Sequence, residues 1–368
     1  VKLAIVCSWL NQYGGAERVL DVVHDMYPDA PVYTSIYAPR ALPEHYRTWD
    51  IRPSFLNRLP LINRRHQFFL PLYPLGFESL DLRGYDLVLS VTSAFGHGVI
   101  VPAETAHVCY CLTPARFLWG YHAYIEREGV GRLARAVLPP FLKGLRQWDR
   151  LAAERVDEFI AISRTVQTRI RKYYRRDSQI IYPPVRTDYF ATEAAALPSA
   201  TPEDYFLIVS RLIPYKRIDL AVQAFNALGL PLRIIGDGRD REALQAMARP
   251  NVQFLGRLPD EQVRQQMARC RAFLFPGEED FGITPLEAMA AGRPVIAYAA
   301  GGALDTIDEG RTGLYFREPT PDSLAEAVRR FEQQSFDPNV LQEHARRFDV
   351  AVFQRELDAT LQRAVARR

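Results

Sequence analysis

The chain has 368 residues, 48% hydrophobic and 24% charged, with 46 Lys and Arg against 43 Asp and Glu for a formal net charge of +3. The length exceeds what one hydrophobic core usually supports, so two domains are expected, and no apolar run approaches the ~18 residues of a membrane span. The four cysteines, Cys7, Cys109, Cys111 and Cys270, are too scattered for a disulfide framework and carry only a weak metal signal, so they read as buried reduced thiols.

In chain order, "VKLAIVCSWL" runs at once into "NQYGGAER" without a cleavage pattern, and reads as a first core strand followed by a helix over 16–26. The segment 55–80, "FLNRLPLINRRHQFFLPLYPLGFESL", is apolar, basic and broken by prolines. "DLVLSV", "HVCYC", "EFIAIS" and "QIIYPP" supply further strands, with helical spacing over 141–157. The second half repeats the scheme with "YFLIVS", "LRIIGDG", "VQFLG", "RAFLFP" and "PVIAY". Helices are expected there at about 217–228, 239–248, 259–269, 285–291 and 321–334, and a last one at about 350–366. This is βαβ alternation twice over: an α/β chain of two Rossmann-like, doubly wound domains facing across a cleft. The expected boundaries are 1–184, joined by a C-terminal helix at about 350–368, and 185–349. The junction is "YPPVRTDYF" through "LPSATPED".

Charge is distributed unevenly. Residues 1–184 hold 23 Lys and Arg against 17 Asp and Glu, and the remainder 23 against 26. Between Arg127 and Arg176 there are 13 basic and 5 acidic residues, a stripe that suits an anionic partner or a solvated helix face.

Ligands of open α/β sheets bind beyond the carboxyl ends of the strands, so residues there are the functional candidates. The first strand ends before Gly14 and Gly15, at a helix start whose N–H groups suit an anion. Neither a dinucleotide G-x-G-x-x-G nor an NTPase phosphate loop accounts for this turn. Past "YFLIVS" come Arg211 and Lys216, two cations fit to neutralise a diphosphate. Gly236, Gly238 and Gly256 belong on the same rim. "RAFLFP" delivers Glu278, Glu279 and Asp280 there, and "FGITP" supplies backbone N–H groups ahead of a helix carrying Glu287. Carboxylates accept hydrogen bonds from hydroxyls while N–H groups serve anions, so a polyhydroxylated ligand bearing phosphate meets both halves of this rim.

"GEEDFGITPLEAMAAGRPVIAYAAGG" resembles the E-x7-E signature of the retaining nucleotide-sugar glycosyltransferases of family 4, which have the GT-B fold. "SRLIPYKRIDLAVQAF" resembles that family's diphosphate motif and "YGGAERV" its N-terminal glycine loop, in the family's order. "HVCYCLTPARFLWGY" is similar to the subset making bacterial surface polysaccharides and O-antigen, many of them mannosyltransferases.

The resemblance implies a retaining hexosyl transfer, with GDP-mannose the first choice of donor and UDP-sugars next, to a polyprenyl-diphosphate-linked or polysaccharide acceptor. It implies no cofactor and no metal, since no D-x-D pair is present. Arg211 and Lys216 would hold the diphosphate, and Gly14 and Gly15 would allow its backbone approach. Glu279 would bind sugar hydroxyls beside the N–H groups of Phe281, Gly282 and Ile283, with Thr284 also on the donor side. Glu287 would bind the ribose, and Arg257 and Leu258 would line the nucleobase pocket. Where the family commonly has a histidine in "YCxTP", this chain has Leu112, so His97, His107 and Arg116 are the acceptor-side candidates by proximity in sequence. Residues 55–80 and 131–156 suit docking on an anionic membrane, giving a cytoplasmic protein peripheral to the inner face. Rival expectations are an epimerase or phosphorylase of the same fold and a nucleotide-sugar-binding assembly protein without turnover. A nucleic-acid binder is disfavoured, because it leaves the acidic rim unexplained.

Overall fold

Five consecutive apolar residues form β1 (Leu3–Cys7), buried along its whole length, as a strand covered on both faces must be. In the computed structural model, which describes residues 1–120, 132–196 and 202–368, the chain divides into two units. Unit 1 is Val1–Tyr182 with Phe353–Arg368, and unit 2 is Pro183–Val352. Positions 121–131, which include the start of the basic stripe, and 197–201 of the expected junction lie outside the described residues.

Unit 1 contains β1, β2 (Val32–Thr34), β3 (Ile51–Pro53), β4 (Leu87–Thr92), β5 (Ala106–Cys111), β6 (Glu158–Ala161) and β7 (Ser178–Ile180). Among the described residues they form one sheet in the order β3-β2-β1-β4-β5-β6-β7. Every pairing is parallel. The helices used below are α1 (Gly15–Met26), α2 (Arg116–Trp119) and α3 (Arg132–Ala153). Segment 55–80 is a helical excursion rather than a loose loop. Leu56, Ile62, Tyr73 and Phe77 sink into a core shared with Leu118, Leu142 and Leu145. Each such fully buried side chain contributes about 1.5–3 kcal/mol by leaving water. Phe55, Leu61, Phe68, Leu72 and Leu75 of the same segment stay exposed.

Unit 2 contains β8 (Phe206–Val209), β9 (Leu232–Ile235), β10 (Val252–Gly256), β11 (Phe273–Phe275), β12 (Val295–Tyr298) and β13 (Gly313–Phe316). Their order, β10-β9-β8-β11-β12-β13, is the 3-2-1-4-5-6 of a doubly wound nucleotide-binding sheet. All of its pairings are parallel too. Phe206, Ile208, Ile234, Leu274 and Ile296 from the strands pack on Phe225 and Val328 from the helices. The remaining labelled helices are α4 (Ile218–Leu228), α5 (Ile283–Ala290), α6 (Ala303–Thr306), α7 (Pro338–Arg346) and α8 (Val350–Ala366).

Most of α8 belongs to unit 1. Phe353 meets Tyr110 of β5 edge-on at 5.5 Å. Tyr27 donates to Asp358 at 2.8 Å, Gln179 donates to Thr360 at 2.7 Å, and Arg367 pairs with Glu158. Within unit 2, Val185 donates to the Phe348 carbonyl at 2.9 Å and Val350 donates back to Val185 at 3.2 Å.

Candidate active site

Strand order in unit 2 reverses between β8 and β11, the place in an open α/β sheet where ligands bind beyond the carboxyl ends of the strands. The loop after β8 carries Arg211, exposed, whose guanidinium donates to Tyr215 Oη at 2.9 Å. One 3-10 turn, Pro214–Lys216, then presents Lys216 ahead of α4. The loop after β11 carries Glu279, and its carboxylate pairs with Lys216 Nζ, the two side chains being 22% and 13% exposed. A cation and a carboxylate from two strands are thus joined at the reversal point.

Glycines make this approach possible. A Cβ on Gly277 would lie 2.8 Å from the Lys216 and Tyr215 backbones, so only glycine lets the two loops touch. The Gly302 N–H donates to the Glu279 carbonyl at 2.8 Å, and a Cβ on Gly302 would overlap the Phe281 backbone. Gly301 and Gly302, just ahead of α6, therefore fix the height of the Glu279 loop. Gly277, Gly301 and Gly302 had no role in the sequence reading. The signal for them was a glycine within three residues of the ends of β11 and β12.

Gly282 has φ +94° and caps α5, with Phe275 packed where a Cβ would go. Ile283 and Thr284 open the helix, whose first N–H groups have no acceptor within it. Phe281 is buried, and its ring lies 5.9 Å from that of Phe348. Glu287 is 5% exposed and Asp280 9%. Arg257 is exposed and Leu258 half-buried just beyond β10, on the rim that Gly256 ends with φ +71°. Among the described residues, no three His, Cys, Asp or Glu are grouped to hold a metal ion.

In unit 1, Gly14 caps α1 and Gly15 is its first residue. Leu112, half-buried, follows β5, and its N–H donates to Thr92 O at 2.8 Å. Arg116, half-buried, opens α2 beyond the same strand. The two histidines named with it are core residues instead. His107 is fully buried within β5, its Nε2 2.9 Å from Ser90 Oγ. Burial, helped by the nearby His97, pushes its imidazole down to about 3. His97 is 2% exposed, with Nε2 3.1 Å from the Asp149 carbonyl oxygen. Neither imidazole reaches solvent, which corrects their placement among acceptor-side candidates.

His107 has a consequence for acid stability. It is neutral when folded and protonates near pH 6.5 when unfolded, so its stabilisation is complete above pH 6.5 and is lost as pH falls towards 3. His107→Gln will therefore flatten the decline between pH 6.5 and 4. The check is thermal melting at both ends of that window, where the native chain should lose more than the variant, by about 1.4 kcal/mol per pH unit.

Two parallel α/β units with a nucleotide-site strand order have the GT-B fold, and the family matches make the chain a glycosyltransferase. Residues 13–189 match the Glycosyltransferase Family 4 domain and residues 190–348 the Glycosyl transferases group 1 domain. The chain belongs to glycosyltransferase family 4. It is 30% identical over 341 residues to a GDP-mannose-dependent alpha-mannosyltransferase of Mycobacterium tuberculosis, covering 89% of this chain and 88% of that one. It is 24% identical over 197 residues to an uncharacterized glycosyltransferase of Methanocaldococcus jannaschii, and spans about half (54%) of that protein's length. The fold is similar to Anabaena HepE crystallised with UDP, at a TM-score of 0.72 and 18% identity, covering 98% of this chain and 100% of that one.

Proposed function

We propose that this glycosyltransferase moves mannose from GDP-mannose, with retention of configuration, to a lipid-linked or polysaccharide acceptor in cell-surface glycan synthesis. The observation that carries this reading is the Lys216–Glu279 ion pair at the strand-order reversal of unit 2. The sugar C1–O bond to phosphate breaks as the acceptor oxygen bonds C1, and the acceptor's proton passes to the departing diphosphate. Lys216 and Arg211 stabilise the negative charge that grows on that leaving group. Glu279 accepts hydrogen bonds from sugar hydroxyls, beside the first N–H groups of α5. Glu287 takes the ribose, and Arg257 and Leu258 take the base. On this reading the two cations do the work of a divalent ion, so no metal is needed. The M. tuberculosis relative, by its name, uses GDP-mannose, which favours that donor. A UDP-sugar is the second reading, favoured by the UDP bound in the Anabaena structure.

A thermal-shift panel of GDP-, UDP- and ADP-sugars in excess chelator decides between them. Unit 2 should be raised by GDP-mannose, and Arg211→Ala and Glu287→Ala should each abolish the rise. A shift retained by both variants would move the donor pocket elsewhere.

The acceptor is read as a polyprenyl-diphosphate-linked glycan, met at an anionic membrane on the cytoplasmic side. Support comes from unit 1, where Leu61, Phe68, Leu75 and Phe141 are 62%, 77%, 57% and 55% exposed. Exposed Arg58, Lys143 and Arg150 accompany them. Among the described residues no helix is long and apolar enough to cross a membrane. Basic and apolar groups together dock on such surfaces without spanning them. Flotation should recover the chain with vesicles containing phosphatidylglycerol and not with neutral ones; recovery with neither would remove the membrane from this reading.

A further inference from the structure

A second polar cluster lies in unit 1. Asp149 of α3 is wholly buried, and Trp119 Nε1 of α2 donates to its Oδ2 at 2.7 Å. Its Oδ1 lies 3.5 Å from His97 Nε2, and the Tyr174 hydroxyl hydrogen-bonds the same carboxylate. The Trp119 ring stacks on Tyr173 at 4.7 Å. The surroundings are otherwise apolar, with Leu118, Leu142 and Leu145 in the same core. Burial pushes the Asp149 carboxyl up, while His97, Trp119 and Tyr174 draw it back.

A buried carboxylate of this kind does not outdo a well-packed apolar residue in stability, because its desolvation offsets its attractions. What it adds is direction. Helix α2 is a single turn, closed by the N–H groups of Trp119 and Gly120 on the Ala115 and Arg116 carbonyls. One turn does not hold itself together in water, so its placement depends on tertiary anchors. Leu118, 1% exposed, and Phe117, whose ring lies 5.7 Å from that of Phe95, are apolar anchors, and such non-directional contacts constrain the turn's rotation less than a hydrogen bond does. The Trp119–Asp149 bond is directional and fixes that rotation, and with it the position of Arg116 three residues earlier. A second tie, from Arg169 Nη1 to Thr113 Oγ1 at 3.3 Å, steadies the approach from β5.

We infer that Asp149 is a positioning residue for the acceptor side of the site, acting through the Trp119 indole to set α2 and Arg116 at the carboxyl end of β5. The meaning of "acceptor side" rests on the proposed sugar transfer.

The test uses the full chain and separates position from stability. Asp149→Leu fills the core, so the melting temperature should hold within a few degrees. Amide exchange over 113–120 should nevertheless rise at least tenfold while the β-strands of unit 1 stay protected. The Trp119 indole N–H resonance, one of four and identified by its loss in Trp119→Phe, should shift with the loss of its carboxylate partner. Asp149→Asn keeps an acceptor oxygen and should restore both signals. Trp119→Phe should reproduce the local rise even if Asp149→Leu fails to fold. GDP and UDP affinities should be unchanged, while GDP release from GDP-mannose with a bacterial membrane lipid extract falls at least tenfold. Unchanged exchange over 113–120, a rise spread evenly over unit 1, or undiminished GDP release would each overturn the assignment. A native chain binding neither GDP nor UDP would instead count against the proposed donor, and the exchange and resonance results would stand.

Discussion

Lys216→Met will lower sugar transfer by about 10²–10³-fold with unit 2 still folded. The ammonium pairs with Glu279, and the side chain is only 13% exposed, so methionine replaces the apolar contacts and removes only the charge. Charge that develops on a leaving diphosphate in a partly buried site is stabilised by preorganised cations far more than in water, which is why the deficit should fall on kcat. Lys216→Arg should recover little, because a planar fork does not reproduce a compact point charge. Glu279→Gln should also be impaired, yet the double variant should lose less than the product of the two single losses, since each single change strips the other group of its partner. Steady-state kinetics with saturating donor is the measurement. Near-native kcat in Lys216→Met would remove that residue from the chemistry.

The second large effect is on folding. Gly236→Ala will destabilise unit 2 by about 2–5 kcal/mol, from a backbone conformation closed to alanine together with overpacking. Gly236 has φ +133°, and its added Cβ would overlap the Ser210 carbonyl. That contact belongs to a lattice in which Ser210 N–H donates to Ile235 O and Leu212 N–H to Asp237 O, both at 3.0 Å. The loop carrying Arg211 is therefore built directly on the Gly-Asp-Gly turn. Gly229→Ala is the control: φ is +72°, but nothing lies within 4 Å, so only the left-handed strain of about 1–2 kcal/mol remains. Urea unfolding compares the two, and equal midpoints would mean the packing around Gly236 is looser than described.

The fold class could be read from the sequence because buried parallel strands are unbroken apolar runs, as in "KLAIVC" and "YFLIVS". Strands β2, β3 and β13 escaped. The first two have three residues each, too few for any periodicity, and β13 is a four-residue strand entered from a charged turn. Helix α7 was also missed, lying where Pro338 and polar neighbours resemble a loop. On the candidate site, the cation and acid of β8 and β11 were legible because strand ends were the place to look. That their side chains pair was not, since contact between residues as far apart in the chain as Lys216 and Glu279 depends on strand order. The histidines misled for a related reason: position along the chain does not say whether a side chain points to the rim or into the sheet. His107 is the second residue of β5, at the end away from the rim, and points inward to Ser90.

Unit 1 is discontinuous, and this bears on how the chain comes off the ribosome. Its strands are synthesised first, but Tyr110 and Tyr27 wait for Phe353 and Asp358, which follow all of unit 2. The half that starts first thus finishes last. Nascent chains halted after Phe316 but before Phe353 will carry the complete strand set of unit 2 together with a unit 1 sheet that has an uncovered flank, the stage most open to aggregation or to chaperone capture.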